Sequence, residues 1–380
     1  MSDGRIVVDR KAGGRAGDGR AGVAIFGATG YAGREAARLL EAHPYFQLAA
    51  VFGGPDRDGA PLGSIHPSLR GVVDLPCRGL DTDGQGAAAA GPGDRGIGRV
   101  VAELGRQGAA LALLATPEET SIRLAGPLLD AGIRVVDLSG AFRLRPKGLY
   151  PEWYGFEHEA PELLASATYG LSEWSRAAIG PASLVANPGC YPTAALLALL
   201  PLRRAGLLDT GSPVMIHAVS GASGAGRRLR EDLLFCEVEG SIRPYGQPRH
   251  RHLAEIAQGA GLAPGEEVLF LPHLAPIDRG LLCTISARLR DGAAAPDVAS
   301  AYENAYAGEP FVRLLGEGCL PSTSDVRGTN SCAIGWTCDA AHRRATLFAA
   351  IDNLVKGAAG QAVQNLNLMA GRSEAEGLPR

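Results

Sequence analysis

Apolar positions along the first half of the chain fall into short unbroken runs separated by stretches with helical spacing. Gly22–Phe26 is a run of strand length; a glycine turn follows, and in Arg34–His43 the side chains of Ala36, Leu39 and Leu40 share one side of a helix. Phe46–Phe52 is a second apolar run. Leu111–Ala115 and Arg134–Leu138 repeat the pattern on either side of a helical Ile122–Ala131. Buried strands alternating with helices predict an α/β fold with a Rossmann-type, doubly wound parallel sheet.

The texture changes after Asn187. Pro192–Ala205 is apolar nearly all round and predicts a buried helix. Val214–Val219, Val268–Leu271, Leu282–Leu289 and Ala345–Ile351 read as strands of a second sheet, and Asn353–Met369 as a closing helix that returns to the first domain. Gly53–Gly98 carries little periodic structure after Leu75, and Gln85–Gly98 reads as a flexible surface insertion. The expected organisation is a disordered leader over 1–20, a dinucleotide-binding domain over 21–188 plus 353–380, and a second α+β domain over 189–352.

Composition narrows the function. The 380 residues suffice for two hydrophobic cores. With 37 basic against 40 acidic side chains and a net charge of -3, the chain lacks the electrostatic footprint of a nucleic-acid or anionic-membrane binder, so any phosphate must be held by local groups. The longest apolar run, near Ala194–Pro201, falls far short of a membrane span. The polar, glycine-rich start has no secretory h-region. The seven cysteines include no C-x-x-C pair, so reduced thiols in a cytoplasm are expected.

Gly27, Gly30 and Gly33 form G-x-x-G-x-x-G between the first strand and the first helix, with Thr29 and Tyr31 inside the turn. Glycine lets a backbone approach a pyrophosphate, and the helix N-terminus presents N–H groups and a positive dipole end. NAD-binding versions place an acid at the tip of the second strand. Here the tip is Phe52-Gly53-Gly54, with Asp56 arriving late beside Arg57. That favours the 2′-phosphate of NADP, while Asp56 stays open as a ribose ligand.

Cys190 stands in Asn187-Pro-Gly-Cys-Tyr-Pro-Thr193, at the start of the apolar helix. A cysteine at a helix N-terminus is biased toward thiolate, the nucleophile needed to attack an acyl carbon; the alternative is a structural thiol. A proton partner is available in Arg249-His-Arg-His-Leu-Ala-Glu255. If this segment is extended, His250 and His252 share a face with Arg251 opposite; if His252 opens a helix, Glu255 lies one turn on, placed to orient the imidazole. A solvated basic cluster is the alternative. The H-x-H pair has no second ligand pair, so no metal is expected.

Seven segments taken together resemble a known family. They are Gly27–Gly33, Asp137-Leu-Ser-Gly-Ala-Phe-Arg143, Tyr169-Gly-Leu-Ser-Glu173, Asn187–Thr193, Ser220-Gly-Ala-Ser-Gly-Ala-Gly226, His250–Ile256 and Gly328-Thr-Asn-Ser-Cys332. The chain resembles the N-acetyl-gamma-glutamyl-phosphate reductases of arginine biosynthesis, in the semialdehyde dehydrogenase superfamily, from Gly22 to about Met369. The resemblance implies NADPH as reductant, a small acyl phosphate as substrate, a homodimer or homotetramer, and a thioester on Cys190. It implies acid/base work by His250 or His252 with Glu255 beside them. Cofactor contacts fall on Gly27, Thr29, Gly30, Tyr31, Gly33, Arg57, Pro117, Ser223, Gly224 and Asn330, and substrate or phosphate contacts on Ser139, Arg143, Glu173 and Arg251. Leu253-Ala254 departs from the pair expected between histidine and glutamate. Aspartate-semialdehyde dehydrogenase and carrier-linked aminoadipyl phosphate reductase share the plan, and a non-enzymatic NADP-binding redox sensor is the alternative of another class.

Overall fold

The structure is a computed structural model that describes residues 20–80 and 96–380. The expected leader, except Arg20, and most of the expected insertion lie outside the described residues. The chain forms two compact units: Met1–Gly148, Glu157–Pro188 and Ala358–Leu378 make one, and Leu149–Phe156, Gly189–Gly357 and Pro379–Arg380 the other. The tail thus rejoins the first unit at Ala358 rather than at 353, and 149–156 belong to the second.

In the first unit, β1 (Ala21–Phe26), β2 (Phe46–Gly53), β3 (Cys77–Gly79), β4 (Ala109–Leu114), β5 (Arg134–Asp137), β6 (Thr168–Tyr169) and β7 (Leu184–Ala186) build one sheet in the order β3-β2-β1-β4-β5-β7-β6. Every neighbouring pair is parallel. Its helices are α1 (Tyr31–Glu41), α2 (Leu62–Ile65), α3 (Ile97–Arg106), α4 (Glu118–Asp130), α6 (Pro161–Ser166), α7 (Ser172–Ile179) and α12 (Gly360–Met369). All of β1 is buried, as a central parallel strand covered on both faces requires. The order reverses between β2 and β4 at β1, so the carboxyl ends of β1 and β4 flank the crevice where doubly wound sheets bind ligands. α12 carries four buried amides, which must find partners. Asn365 shows how: its Nδ2 donates to Gly170 O (2.9 Å) and Asn187 Oδ1 (3.0 Å), and its Oδ1 accepts from Ser172 Oγ (2.8 Å).

The second unit holds α5 (Tyr150–Trp153), α8 (Cys190–Arg204), α9 (Phe235–Val238), α10 (His252–Gly259) and α11 (Ala295–Tyr306). Its strands are β8 (Val214–Gly221), β9 (Arg243–Pro244), β10 (Val268–Ala275), β11 (Leu281–Arg288), β12 (Val312–Glu317), β13 (Cys332–Asp339) and β14 (Arg344–Ile351), in the mixed order β12-β13-β14-β11-β8-β10-β9. α8 runs through the core, with Tyr191 through Leu202 all buried. Pro201 inside it withholds the N–H that Leu197 O would accept. Tyr306 Oη donates to that carbonyl instead, at 2.5 Å, and Tyr302 Oη donates to Ala198 O at 2.7 Å.

Several expectations need correction. Cys77–Gly79 is a strand, where little periodic structure was expected after Leu75; it is a three-residue sheet edge with no periodicity to display. The closing helix does not begin at Asn353. Val355–Ala359 is a π-turn, closed by Gly357 N–H to Asp352 O (2.9 Å), and regular helix starts at Gly360. The first helix begins at Tyr31, three residues before the apolar spacing shows it, and stops at Glu41 because His43 Nδ1 accepts the N–H groups of Tyr45 and Phe46.

Candidate functional site

The glycine turn closes on itself in the first unit. Gly27 has φ +83°, and a Cβ there would lie 2.6 Å from the Ala115 carbonyl carbon; at Gly33 it would lie 2.7 Å from Ala28 Cα. These two glycines let the turn pack against β4 and α1 against the turn. Gly30 N-caps α1 without a side-chain cap, and the first turn of α1 has no acid, so the opening amides are aimed outward as an anion site would need. Pro117 N-caps α4 at the end of β4, on the other lip of the crevice, with Thr116 Oγ1 2.8 Å from Ser121 Oγ.

The strand-tip acid is missing for a steric reason. A Cβ at Gly53 would stand 2.5 Å from Thr29 Cγ2 and 2.9 Å from Cys77 Sγ, so the tip of β2 is filled by Thr29. Asp58 is committed to the Gly79 N–H (2.7 Å). Asp56 pairs with Arg57 at 2.9 Å, both exposed. An uncapped helix N-terminus after β1 and an exposed guanidinium after β2, with no acid at the strand tip, are a donor set that fits a phosphorylated dinucleotide.

At the end of β5, Ser139 donates from its N (3.1 Å) and Oγ (2.8 Å) to Asp137, and its Oγ accepts from Ala141 N. Burial pushes the Asp137 carboxyl up to about 6, against the pull of the Ser139 bonds. Arg143 is 6 % exposed; its Nε donates to Asn187 O (2.8 Å) and its Nη2 to Leu138 O (2.7 Å). Ser139 and Arg143 thus shape the backbone leading to Pro188. Glu173 Oε1 accepts from Gln364 Nε2 at 3.3 Å.

In the second unit Cys190 is the first residue of α8, half-buried, with Gly189 as N-cap and no side-chain cap. Thr193 N and Oγ1 both donate to Gly189 O, at 2.9 Å each. His252 opens α10 one turn before Glu255, so the helical alternative of the sequence reading is the one realised. Glu255, fully buried, accepts the Gly189 N–H on Oε1 at 2.9 Å. The His252 ring presses against the same glycine: a Cβ on Gly189 would lie 2.9 Å from both Cδ2 and Cε1, with Nε2 nearer still. His250 takes a different place. Its Nδ1 accepts the His252 N–H (3.2 Å), and its ring packs against Tyr245, Phe270 and Tyr191. Burial, helped by the Arg251 charge, pushes its pKa down to about 4. Arg251 is exposed over the Tyr154 ring, 5.8 Å away.

Ser223 Oγ accepts from Asn353 Nδ2 (3.0 Å), whose Oδ1 accepts the Gly280 N–H (2.7 Å). A Cβ at Gly224 would come within 2.9 Å of Ser220 Oγ, so the turn Ala222–Ala225 is tight as well as exposed. Asn330 is buried and its N–H donates to Pro379 O at 2.8 Å. One residue next to the thiol escaped the sequence reading: Gly357, whose Cα lies against Cys190. The signal was a glycine inside Lys356-Gly-Ala-Ala-Gly360, where a regular helix would favour a side chain. Among the described residues, no cluster of three or more metal-ligating groups occurs, and no helix is long and apolar enough to cross a membrane.

Comparison with known proteins agrees with this geometry. Residues 22–89 and 99–182 match the family described as semialdehyde dehydrogenase, NAD binding domain, and residues 190–353 the semialdehyde dehydrogenase, dimerisation domain. The chain is 42% identical over 359 residues to the N-acetyl-gamma-glutamyl-phosphate reductase of Geobacter sp. (strain M21), covering 94% of this chain and 97% of that one. It is 43% identical over 358 residues to the enzyme of the same name from Tolumonas auensis, covering 94% and 99%. Among solved structures, aspartate semialdehyde dehydrogenase II of Vibrio cholerae superposes with a TM-score of 0.67 at 18% identity, covering 93% of this chain and 98% of that one. Aspartate semialdehyde dehydrogenase with NADP from Candida albicans gives 0.61 at 14%, covering 92% and 98%. These two likenesses speak to the fold, while the sequence relatives decide the family: the chain belongs to the N-acetyl-gamma-glutamyl-phosphate reductases of the semialdehyde dehydrogenase family.

Proposed function

We propose that this protein reduces N-acetyl-glutamyl 5-phosphate to N-acetyl-glutamate 5-semialdehyde, releasing phosphate, as a step of arginine biosynthesis. The observation that carries the reading is the placement of Cys190 as the first residue of α8, with the Gly189 amide bound by Glu255 and the His252 imidazole packed on Gly189.

The Cys190 thiolate attacks the acyl carbon, the carbon–oxygen bond to phosphate breaks, and a thioester remains on sulfur. Arg251, exposed beside the histidines, receives the departing phosphate charge. When bound, NADPH supplies the hydride that reduces the thioester carbon. The first turn of α1 and Arg57 would hold its diphosphate and 2′-phosphate. His252 takes the thiol proton and returns it to sulfur as the carbon–sulfur bond breaks and the aldehyde leaves. His250 positions His252 through the bond from the His252 N–H; with its pKa pushed down to about 4 it stays a neutral imidazole at neutral pH rather than a charged acid. Glu255 fixes the Gly189 amide and with it the start of the helix that carries the thiol.

The chain works as a homo-oligomer in a cytoplasm. Its second sheet leaves Met215, Leu269, Leu271 and Phe348 only partly covered, the apolar face a second protomer needs. Phosphate-dependent reduction of NADP is to be assayed with N-acetyl-glutamate semialdehyde and with aspartate semialdehyde. We expect strong preference for the acetylated substrate, and an acyl adduct on Cys190 by mass spectrometry after acyl phosphate treatment. Equal turnover of aspartate semialdehyde, or full activity in Cys190→Ser, overturns the reading.

A further inference from the structure

We propose that Arg279 is a positioning residue for the Cys190 thiol, acting through a buried ion pair with Asp352; the proposal rests on the reading of Cys190 as the nucleophile. Asp352 directly follows β14 and is fully buried. Arg279, in the loop between β10 and β11, donates from Nη2 to Asp352 Oδ1 (3.0 Å) and holds its Nε 2.9 Å from Oδ2. The same Oδ2 accepts the Gly328 N–H at 2.7 Å, and Oδ1 accepts the N–H groups of Leu354 and Val355. One carboxylate therefore fastens the Arg279 loop, the Gly328–Cys332 segment and the turn that starts at Val355.

The neighbouring side chain repeats the pattern. Asn353 Oδ1 accepts the Gly280 N–H (2.7 Å), and its Nδ2 donates to Ser223 Oγ (3.0 Å). Arg279-Gly280 is thus gripped by Asp352-Asn353, residue for residue. On its other side the Gly221 N–H donates to Gly280 O (2.9 Å), and a Cβ at Gly221 would fall 2.9 Å from Arg279 N. The backbone that presents the guanidinium is fixed by close packing. Ser220–Gly226 and Gly328–Cys332, two motifs that the reaction steps leave unused, both meet at this pair of side chains.

The path from the ion pair to the thiol is short. The Asp352 carbonyl accepts the Gly357 N–H, and the Gly357 backbone lies against Cys190. A buried ion pair adds little net stability over apolar residues of the same size, because desolvating two charges offsets their attraction. What this pair does is hold one carboxylate in one orientation. Without the guanidinium, the Asp352 charge is stranded in a dry site and must turn toward water or take a proton. Either change weakens its bonds to Gly328, Leu354 and Val355, and the turn behind Cys190 shifts with them.

The test compares Arg279→Met, Arg279→Lys and wild type as full-length proteins, each below its melting temperature. Arg279→Met is expected to lose kcat by roughly 10- to 100-fold, the scale of a misplaced reacting group, with the KM for NADPH within about twofold of wild type. Arg279→Lys keeps a cation for Asp352 and should recover much of the loss. A second readout needs neither substrate nor cofactor: alkylation of Cys190 by iodoacetamide across pH, followed by peptide mass spectrometry. A thiol moved off the α8 amides loses their bias toward thiolate, so the alkylation midpoint should rise by roughly half a pH unit or more in Arg279→Met and fall back in Arg279→Lys. The titratable groups around the thiol, His252, Glu255, Tyr191, Tyr245 and Cys283, are the same in all three proteins. If Arg279→Met does not fold, Arg279→Gln, which keeps a donor and lacks the charge, takes its place.

A wild-type alkylation midpoint in the uncharged variant overturns the proposal whatever kcat does. With only the melting temperature lowered, the pair is structural; with a raised KM for inorganic phosphate, Arg279 is a ligand. A lysine variant no better than the uncharged one overturns it as well. Failure of the reaction assignment reads differently: no turnover of the acetylated substrate by wild type, with the alkylation shift intact, sinks that reading and leaves the positioning of the thiol in place.

Discussion

A Cβ on Gly357 would stand 2.7 Å from Cys190 Cβ and 3.3 Å from its Cα. The π-turn Val355–Ala359 brings this glycine backbone against the thiol residue, and Asp352 sustains the turn by accepting Leu354 N–H (2.9 Å) and Val355 N–H (3.2 Å) on Oδ1 while its carbonyl accepts Gly357 N–H. Gly357→Ala must push Cys190 aside by a few tenths of an ångström or more. We expect kcat to fall roughly 10- to 100-fold, as small misplacements of a reacting group do. NADP affinity, read by fluorescence titration, should stay at the wild-type value. Unchanged kcat shows that the contact does not aim the sulfur.

Much of the fold was legible because the signals are local. Gly27–Gly33 after an apolar run, and Cys190 before an apolar helix, carry their structural context within a dozen residues. What escaped depends on distant partners. Leu184–Ala186 is a three-residue strand, too short to show a period, and exists because β5 and β6 flank it. β13 is not among the strands expected from the sequence, and Gly335 interrupts its run of side chains. In the structure it lets the strand pass Cys319, whose carbonyl carbon would lie 3.0 Å from a Cβ at Gly335. In the site, the sequence left His250 and His252 equivalent. Only the packing separates them: one ring touches Gly189, the other is locked by a backbone N–H.

Glu255 should behave as a positioning residue. Glu255→Ala leaves the Gly189 N–H buried without its acceptor, a loss of about 1–3 kcal/mol. Urea unfolding should show that cost, and kcat should fall with it. Glu255→Gln keeps an amide oxygen for the same N–H and should recover most of the stability. If Gln and Ala are equally destabilised, the carboxylate acts through its charge and the hydrogen bond is incidental.

His250 gives stability a pH dependence of known sign. Its folded pKa, pushed down to about 4, lies below the ordinary value of 6.5. Between these values the unfolded chain binds a proton that the folded protein refuses, so stability falls as pH drops from 6.5 toward 4. The gap corresponds to an upper limit of roughly 3.4 kcal/mol. Asp137, raised to about 6, runs the other way, because its unfolded carboxyl ionises first as pH rises. Comparing wild type with His250→Phe isolates the imidazole: the variant should lose less in melting temperature between pH 7 and pH 5. Parallel losses in both proteins assign the acid sensitivity to other groups.

Arg57 should set the choice of cofactor. Its guanidinium is half exposed and pairs with the neighbouring Asp56 at 2.9 Å, an exposed pair of little strength. A charge-assisted bond to the 2′-phosphate is worth about 1.5–3 kcal/mol. Arg57→Ala should therefore raise the KM for NADPH by roughly 10- to 100-fold and leave that for NADH within a factor of about two. Equal effects on both cofactors would place the 2′-phosphate elsewhere.

Pro201 and Tyr306 offer a test of how the α8 core is balanced. The proline ring removes the donor that Leu197 O would have, and the Tyr306 hydroxyl replaces it at 2.5 Å. Tyr306 is 3% exposed, so Tyr306→Phe strands a buried carbonyl at a cost of about 1–3 kcal/mol. Pro201→Ala restores an N–H within hydrogen-bonding reach of Leu197 O and removes the ring that crowds it. In the double variant the helix satisfies its own carbonyl, so the hydroxyl is no longer needed. Chemical denaturation should then show a coupling of at least about 0.5 kcal/mol, with the double variant more stable than the sum of single losses predicts. Strict additivity would mean that Leu197 O is satisfied by neither group, and that the tyrosine acts in the core through packing alone.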